Sequence, residues 1–194
     1  MGMPATVPPA RWTREMFYAL PDDGKRHEII DGVHFVTPSP GAVHQLILGE
    51  LFVVLHEYLK RNPFGWLFIA PFDVDLENDT IVEPDIVVEP RSGPRPPRAG
   101  ALGIVPLLAI EVISPSSTSR DRILKRRRYQ RAGIVEYWIV DPPSRLVERW
   151  RPADERPEIV TETLRWHPAG APEELGIDLG RIFSAAGPED ETGD

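Results

Sequence analysis

The sequence predicts an α/β domain: a mixed central sheet with helices on its faces and a β-rich C-terminal end. Three observations carry this. Strand-like and helix-like patterns interleave along the chain, in the order helix, strands, helix, strands, helix, strand. The 22 prolines fall at element ends and in loops, which suits many short elements rather than a few long helices. And the run Leu107-Leu108-Ala109-Ile110-Glu111-Val112-Ile113 is apolar on both sides of the alternation apart from Glu111, as expected for a strand covered on both faces.

Residues 1–12 read as a lead-in, 13–186 as a single domain and 187–194 as an acidic, disordered tail. Thr13 to Leu20 forms a short helix with Thr13 as N-cap and Pro21 beyond its end. His27–Ile30 and Val33–Val36 form a hairpin around Asp31-Gly32. His27-Glu28-Ile29-Ile30-Asp31 superficially resembles a zinc-protease helix. Asp31 replaces the second histidine, however, and the segment reads as strand, so Glu28 alone stays of interest. Ser39 caps the longest helix, Pro40 takes its first turn, and the helix runs to about Arg61. Its core stripe is Val43, Ile47, Leu51, Val54 and Tyr58, widened by Leu48 and Leu55; His44 lies near its N-terminus. Trp66–Ala70, Phe72–Leu76 and Ile81–Glu89 read as strands, and Arg91–Arg98 as a loop carrying three arginines. After the Glu111 strand, Thr118 to Arg131 reads as a basic helix ended by Gly133. Val135–Val140 and Arg145–Arg151 are further strands. Arg145–Arg151 is expected to pair with Ile159–Trp166, and Leu175–Phe183 closes the chain.

The absence of cysteine excludes thiolate zinc sites, disulfides and cysteine nucleophiles. No run of eighteen apolar residues and no signal-peptide pattern occurs, so a cytoplasmic protein with no membrane partner is the expectation. The net charge of −8 argues against a uniformly basic nucleic-acid binder. Its distribution is uneven: the tail carries four acids, whereas residues 120–131 hold seven Arg or Lys.

Glu111 is the residue out of pattern. An ionised carboxylate inside a covered strand costs several kcal/mol unless a cation pairs with it. That cation is either Arg or Lys, which would be structural, or a metal. Strand alternation puts Asp85, Val87 and Glu89 on one face, and Ala109, Glu111 and Ile113 on one face of the later strand. If the strands are neighbours, Asp85 and Glu111 converge. Two close carboxylates repel unless a divalent cation lies between them, and an oxygen-only donor set favours Mg²⁺ or Mn²⁺. The main-chain carbonyl of Val112 is a further candidate ligand. On the basic helix Asp121, Lys125 and Tyr129 share a face. Lys125 either pairs with Asp121 or reaches the carboxylates. Arg120, Arg122, Arg126, Arg127 and Arg128 are candidate phosphate contacts. A metal-bound carboxylate pair beside cations suits phosphodiester hydrolysis.

Pro84-Asp85 followed by Glu111-Val112-Ile113 resembles the PD-(D/E)XK nuclease superfamily, whose fold is that of restriction endonucleases. More closely, the chain is similar to the Uma-two family of bacterial restriction-endonuclease-like proteins. The likeness runs from about Thr13 to Pro142. It includes Glu28-Ile29-Ile30-Asp31-Gly32, Ser39-Pro40 with His44, Glu111-Val112-Ile113-Ser114-Pro115-Ser116, Asp121 with Lys125 and Tyr129, and Glu136-Tyr137-Trp138-Ile139-Val140-Asp141. The resemblance implies metal ligation by Asp85 and Glu111, with Glu28 as a further acid and His44, Asp121 and Tyr129 as accessory residues. It departs from the superfamily at Ile113, where the lysine normally stands; Lys125 would be its migrated substitute. The implied activity is a Mg²⁺-dependent endonuclease acting on DNA, double-stranded rather than single-stranded. The alternative is a catalytically inactive module of the same fold that binds DNA or protein. A homodimer is a further expectation.

Overall fold

The computed structural model describes residues 11–77, 79–96, 100, 103–115 and 117–187. The expectations for residues 1–10, for Arg98 in the arginine loop, for Ser116 and for the acidic stretch 188–194 lie outside the described residues. The fold class is the expected one. Helix α1 spans Arg14–Tyr18, with the Thr13 hydroxyl accepting from the Met16 amide. Strands β1 (Arg26–Ile30) and β2 (Val33–Thr37) form the Asp-Gly hairpin. Asp31 and Gly32 both take positive φ, 55° and 76°, as a two-residue turn matching strand twist requires. A Cβ at Gly32 would run into the Arg11 side chain, and positive φ already disfavours any β-carbon. Gly32→Ala is therefore expected to lower stability by about 1–2 kcal/mol, measured as a drop in the urea midpoint.

Helix α2 runs Ala42–Arg61 with Gly41, not Ser39, at its N-cap. Pro40 disfavours helical backbone at Ser39, and Gly41 itself is extended at ψ 171°, so the helix begins later than the Ser-Pro signal predicts. Of the expected stripe Ile47, Leu48, Leu51, Leu55 and Tyr58 are buried, joined by Leu59, while Val43 is 44% exposed. By length and composition α2 is apolar enough to cross a bilayer, yet its buried stripe belongs to the core.

Strands β3 (Gly65–Ile69), β4 (Val74–Glu77), β5 (Thr80–Val82) and β6 (Ile86–Pro90) follow. The single strand expected over Ile81–Glu89 is thus two, which belong to different sheets. Pro84 between them cannot donate to a ladder, and the chain crosses over there. Then come β7 (Leu108–Val112), a π-helical segment (Arg120–Lys125) continuing into helix α3 (Arg126–Arg131), and β8 (Glu136–Asp141). The last elements are β9 (Leu146–Trp150), β10 (Glu158–Val160), β11 (Thr163–Trp166), β12 (Leu175–Asp178) and α4 (Leu179–Ser184). The expected pairing of Arg145–Arg151 with the whole of Ile159–Trp166 is replaced by two ladders: β9 with β10, and β11 with β12.

The central sheet has the order β10-β9-β8-β7-β6-β3, and a second sheet the order β2-β1-β5-β4. Only the β7–β8 pair is parallel within the central sheet, and the helical segment supplies the crossover that a parallel pair needs. One face of the sheet packs Ile86, Val88, Leu108, Ile110 and Val112 against α2, α4 and the β11–β12 hairpin. The other packs Val87, Ala109 and Ile139 against Ile30, Val74 and Val82 of the second sheet and Tyr129 of α3. Each such fully buried side chain contributes about 1.5–3 kcal/mol. β7 is buried along its whole length, as its apolar pattern requires.

On this second face Glu89 is buried, and its Oε2 meets no hydrogen-bond partner among the described residues. Burial pushes its pKa up to about 7 from 4.5. The folded state thus holds a proton that the unfolded chain releases, and stability falls as pH climbs from 4.5 through about 7. Glu89→Gln is expected to match wild type near pH 4.5 and exceed it by about 1–3 kcal/mol near pH 8. Urea unfolding at the two pH values checks the difference.

Candidate active site

The site lies at the C-terminal end of β7. The β6–β7 register pairs Ile86 with Ile110 and Val87 with Ala109. Continued by one residue, it sets Asp85 across from Glu111, and opposed residues of an antiparallel pair point to the same face. Both carboxylates line one cavity of about 230 Å³, together with Arg26, His44, Arg120 and Asp121. Asp85 is firmly held. Its Oδ2 accepts from the Val112 amide at 2.8 Å and lies 3.0 Å from His44 Nε2, while its Oδ1 accepts from Arg26 at 2.8 Å.

The β1–β2 hairpin brings Glu28 to the same place, and the helical segment brings Lys125. Lys125 is only 1% exposed; its Nζ lies 2.6 Å from Glu28 Oε1 and donates to Glu111 Oε1 at 2.7 Å. Asp121 is more distant, at 3.8 Å. The local Asp121–Lys125 pair is therefore the weaker contact, and the lysine bridges two strands instead. The Tyr129 hydroxyl donates to the same Glu111 oxygen at 3.1 Å. Glu28 Oε1 also accepts from the Glu83 amide at 2.8 Å, which ties the second sheet to the crossover before β6.

Two residues of the cluster were not singled out from the sequence. The Arg26 guanidinium reaches Asp85 Oδ1 at 2.8 Å, Glu83 Oε2 at 3.0 Å and Glu111 Oε2 at 3.8 Å. For Arg26 strand alternation contained the signal, since it lies two residues from Glu28 on β1; Glu83 is brought in by the crossover at Pro84, outside any strand. His27, by contrast, points away. It lies 2.9 Å from His34 and 2.8 Å from Asp23, which removes the zinc-helix likeness.

Charges are crowded. Glu28, Glu83, Asp85, Glu111 and Asp121 are all buried among the cations Arg26, Arg120 and Lys125. Burial raises the Glu111 pKa well above its usual value, and Asp85 and Asp121 add to this against the pull of Lys125. Asp121 is raised by burial as well. Burial lifts Glu83 to about 7 despite Arg26. Asp85 goes the other way: burial opposes its charge, but His44, Arg26 and the Val112 amide hold it down to about 2. For Glu28, burial is outweighed by Lys125 and Arg26, and its pKa is lowered. For Lys125, burial is outweighed by Glu111, Glu28 and Asp121, and the ammonium stays charged.

Over residues 14–180 the sequence matches the Uma2 family, described as "Putative restriction endonuclease". The chain belongs to this family. Among curated proteins none matches. A solved structure, that of a "putative nuclease belonging to DUF820" from Anabaena variabilis, is similar at 26% identity and a TM-score of 0.74, covering 90% of this chain and 98% of that one. The Uma2 fold is thus that of a restriction-endonuclease-like domain, as its strand order and helices suggest.

Of the residues singled out from the sequence, this Uma2 domain brings together Glu28, His44, Asp85, Glu111, Val112, Asp121, Lys125 and Tyr129. The basic segment behaves differently. Arg120 lies 3.7 Å from Glu28 and 3.9 Å from Asp121. Arg122 pairs with Asp141 and Glu148 at 2.7 and 2.6 Å. Arg126 donates to Gln130 and stacks over Trp150, and Arg128 pairs with Asp31 and Asp79. Arg127 is exposed. Four of the five arginines therefore engage internal partners rather than fanning into solvent, because strands on both sides of the helical segment present acids to it.

A divalent cation fits the donor chemistry of the Uma2 site. Among the described residues no three His, Asp or Glu side chains form a ready-made cage. Mg²⁺, however, keeps several waters and is commonly held by one or two carboxylates. Asp85 and Glu111 are such a pair of hard oxygen donors. Five buried acids stand against three cations, and among the described residues Asp121 Oδ1 has no hydrogen-bond donor.

Proposed function

We propose that this protein is a divalent-metal-dependent endonuclease hydrolysing phosphodiester bonds of DNA, double-stranded DNA being the favoured substrate. The observation that carries the reading is the opposition of Asp85 and Glu111 across adjacent strands, facing one cavity. Membership of a family described as "Putative restriction endonuclease", and likeness to a protein described as a "putative nuclease", support it. Asp85 and Glu111 would hold Mg²⁺ or Mn²⁺, with the Val112 carbonyl as a further ligand. Bound there, the ion would polarise a phosphoryl oxygen and lower the pKa of a ligated water.

The chain's own residues then divide the work. His44 and the Val112 amide orient the Asp85 carboxylate. Lys125 and Tyr129 fix one oxygen of Glu111 and leave the other toward the cavity. Lys125 is engaged by two carboxylates and buried, so its part is to position Glu111 and Glu28. Contact with DNA phosphates falls chiefly to the exposed Arg127, with Arg126 and the acid-paired Arg120, Arg122 and Arg128 contributing field.

Purified protein is expected to nick or linearise supercoiled plasmid with Mg²⁺ or Mn²⁺ and not with EDTA. Single-stranded DNA of equal mass is expected to be cut more slowly. Absence of cleavage of either DNA at any divalent concentration would end the reading. The presence of the Arg26 guanidinium between the two acids favours a second reading, a module that binds DNA or protein without cutting. Salt-dependent DNA binding that persists in Glu111→Ala, without cleavage, would select it.

A further inference from the structure

Three cations meet the buried acids, and they are not held alike. Lys125 is seated between Glu28 and Glu111 by contacts of 2.6 and 2.7 Å. Arg26 also meets three acids, but at longer range, 2.8, 3.0 and 3.8 Å, and its side chain is 21% exposed against 1% for Lys125. Arg26 NH1 donates to Asp85, whereas among the described residues Nε, though 3.0 Å from Glu83 Oε2, and NH2 make no hydrogen bond of good geometry. A guanidinium offers a rigid fork of five donors, and its usual seat satisfies two of them on one carboxylate. Here the fork is spread over Glu83, Asp85 and Glu111, so charge rather than geometry keeps it in place.

Arg26 also has somewhere to go. Its side chain lines the 230 Å³ cavity of the carboxylate pair and, on the other side, a groove of about 820 Å³ that also includes Lys25, Thr37 and Ile69. The two adjoin, for His44, Asp85 and the stretch 37–40 line both. Arg26 further occupies the electrostatic position that a cation shared by Asp85 and Glu111 would take, 2.8 Å from one and 3.8 Å from the other.

We propose that Arg26 is a resident counter-cation of the acidic pair, which a divalent ion must displace into the larger groove. The proposal rests on the metal-dependent reading above. It makes Arg26 a competitor for the metal, not a ligand support. The apo site is then held together by its own arginine, and divalent binding is weakened by the work of moving it. Lys125, doubly seated, stays where it is.

Calorimetric titration of Mn²⁺ into the full-length protein tests this. Arg26→Met is expected to tighten Mn²⁺ binding by about tenfold or more, because a like charge within a few ångströms no longer opposes the ion. Arg26→Lys, which keeps the charge but loses the fork, is expected to fall between the two. It also serves if the methionine variant fails to fold. Unchanged or weaker Mn²⁺ affinity in both variants would overturn the proposal while leaving a metal-binding protein. No binding by wild type or by either variant would instead overturn the metal-dependent reading, and this proposal with it. An independent readout is the Arg26 Nε–H resonance in ¹⁵N-arginine-labelled wild type, assigned by its loss in Arg26→Lys. Saturation with Mg²⁺ is expected to shift it; an unmoved resonance at saturation would likewise overturn the displacement.

Discussion

Asp85→Asn is expected to lower plasmid cleavage by about 10²–10³-fold, the usual loss on removing one electrostatic element of a site. Asparagine keeps the shape and an oxygen that can accept from the Val112 amide, now 2.8 Å away, so the backbone junction at the end of β7 should survive. What is lost is the charge. Asp85 is the one acid of the pair held ionised, with a pKa of about 2, whereas Glu111 is pushed toward its neutral form by burial and by Asp85 itself. The ionised member must supply the first attraction for a divalent ion, and its removal takes that away. Cleavage kinetics at several Mg²⁺ concentrations check this. The rate should remain low even where wild type is saturated, and undiminished cleavage by Asp85→Asn would remove this residue from the reaction.

Lys125→Met is expected to cost about 3–5 kcal/mol of stability, the range for deleting one partner of a buried ion pair. Methionine fills a similar volume, so little of the loss would come from a cavity. The cost arises because Glu28 and Glu111 are left buried with their principal cation gone. Its sign with pH follows from linkage. Without the ammonium the burial of Glu28 loses its main offset, and Glu111, already raised by burial in wild type, is expected to rise further, so the variant should hold extra protons when folded and lose stability as pH rises. The deficit against wild type should therefore be smaller near pH 5 than near pH 8, as urea denaturation would reveal. A variant as stable as wild type near pH 8 would show that the bridge contributes nothing net.

Much of the fold was legible because its signals are local. The Asp31-Gly32 turn needs positive φ at both residues, and that chemistry fixed the hairpin and its register. Thr13 capped α1 as expected, and Gly133, with φ 76°, follows α3. Where neighbouring signals competed, the boundaries moved. Pro40 displaced the start of α2 past the Ser39 signal. Pro84 split one apolar run into β5 and β6. The overlong partner expected for β9 had a different cause: the run Ile159–Trp166 contains two short strands, of which the first pairs with β9 as expected, while the packing of Leu164 and Trp166 against the core accompanies the pairing of β11 with β12.

The candidate site followed the same division. Its acids were legible because a carboxylate inside an apolar strand stands out against the cost of burying it, and because period-two alternation decides which acids share a face. The partners of those acids were legible only in part. The sequence left Lys125 either with Asp121, one turn away, or with the carboxylates, and the structure gives it Glu111 and also Glu28 from a separate strand. Spacing likewise gives the basic segment a fan of arginines, while the surrounding strands turn most of them inward.

By itself the sequence determined the elements, the covered central strand and the buried acids at its end, since these depend on propensity, alternation and turn chemistry within a few residues. Only the tertiary structure decided which cation neutralises which acid, and that Arg26 lies between Asp85 and Glu111. Coulomb energy depends on distance through space, and that distance is set by how the two sheets and the crossover helix pack.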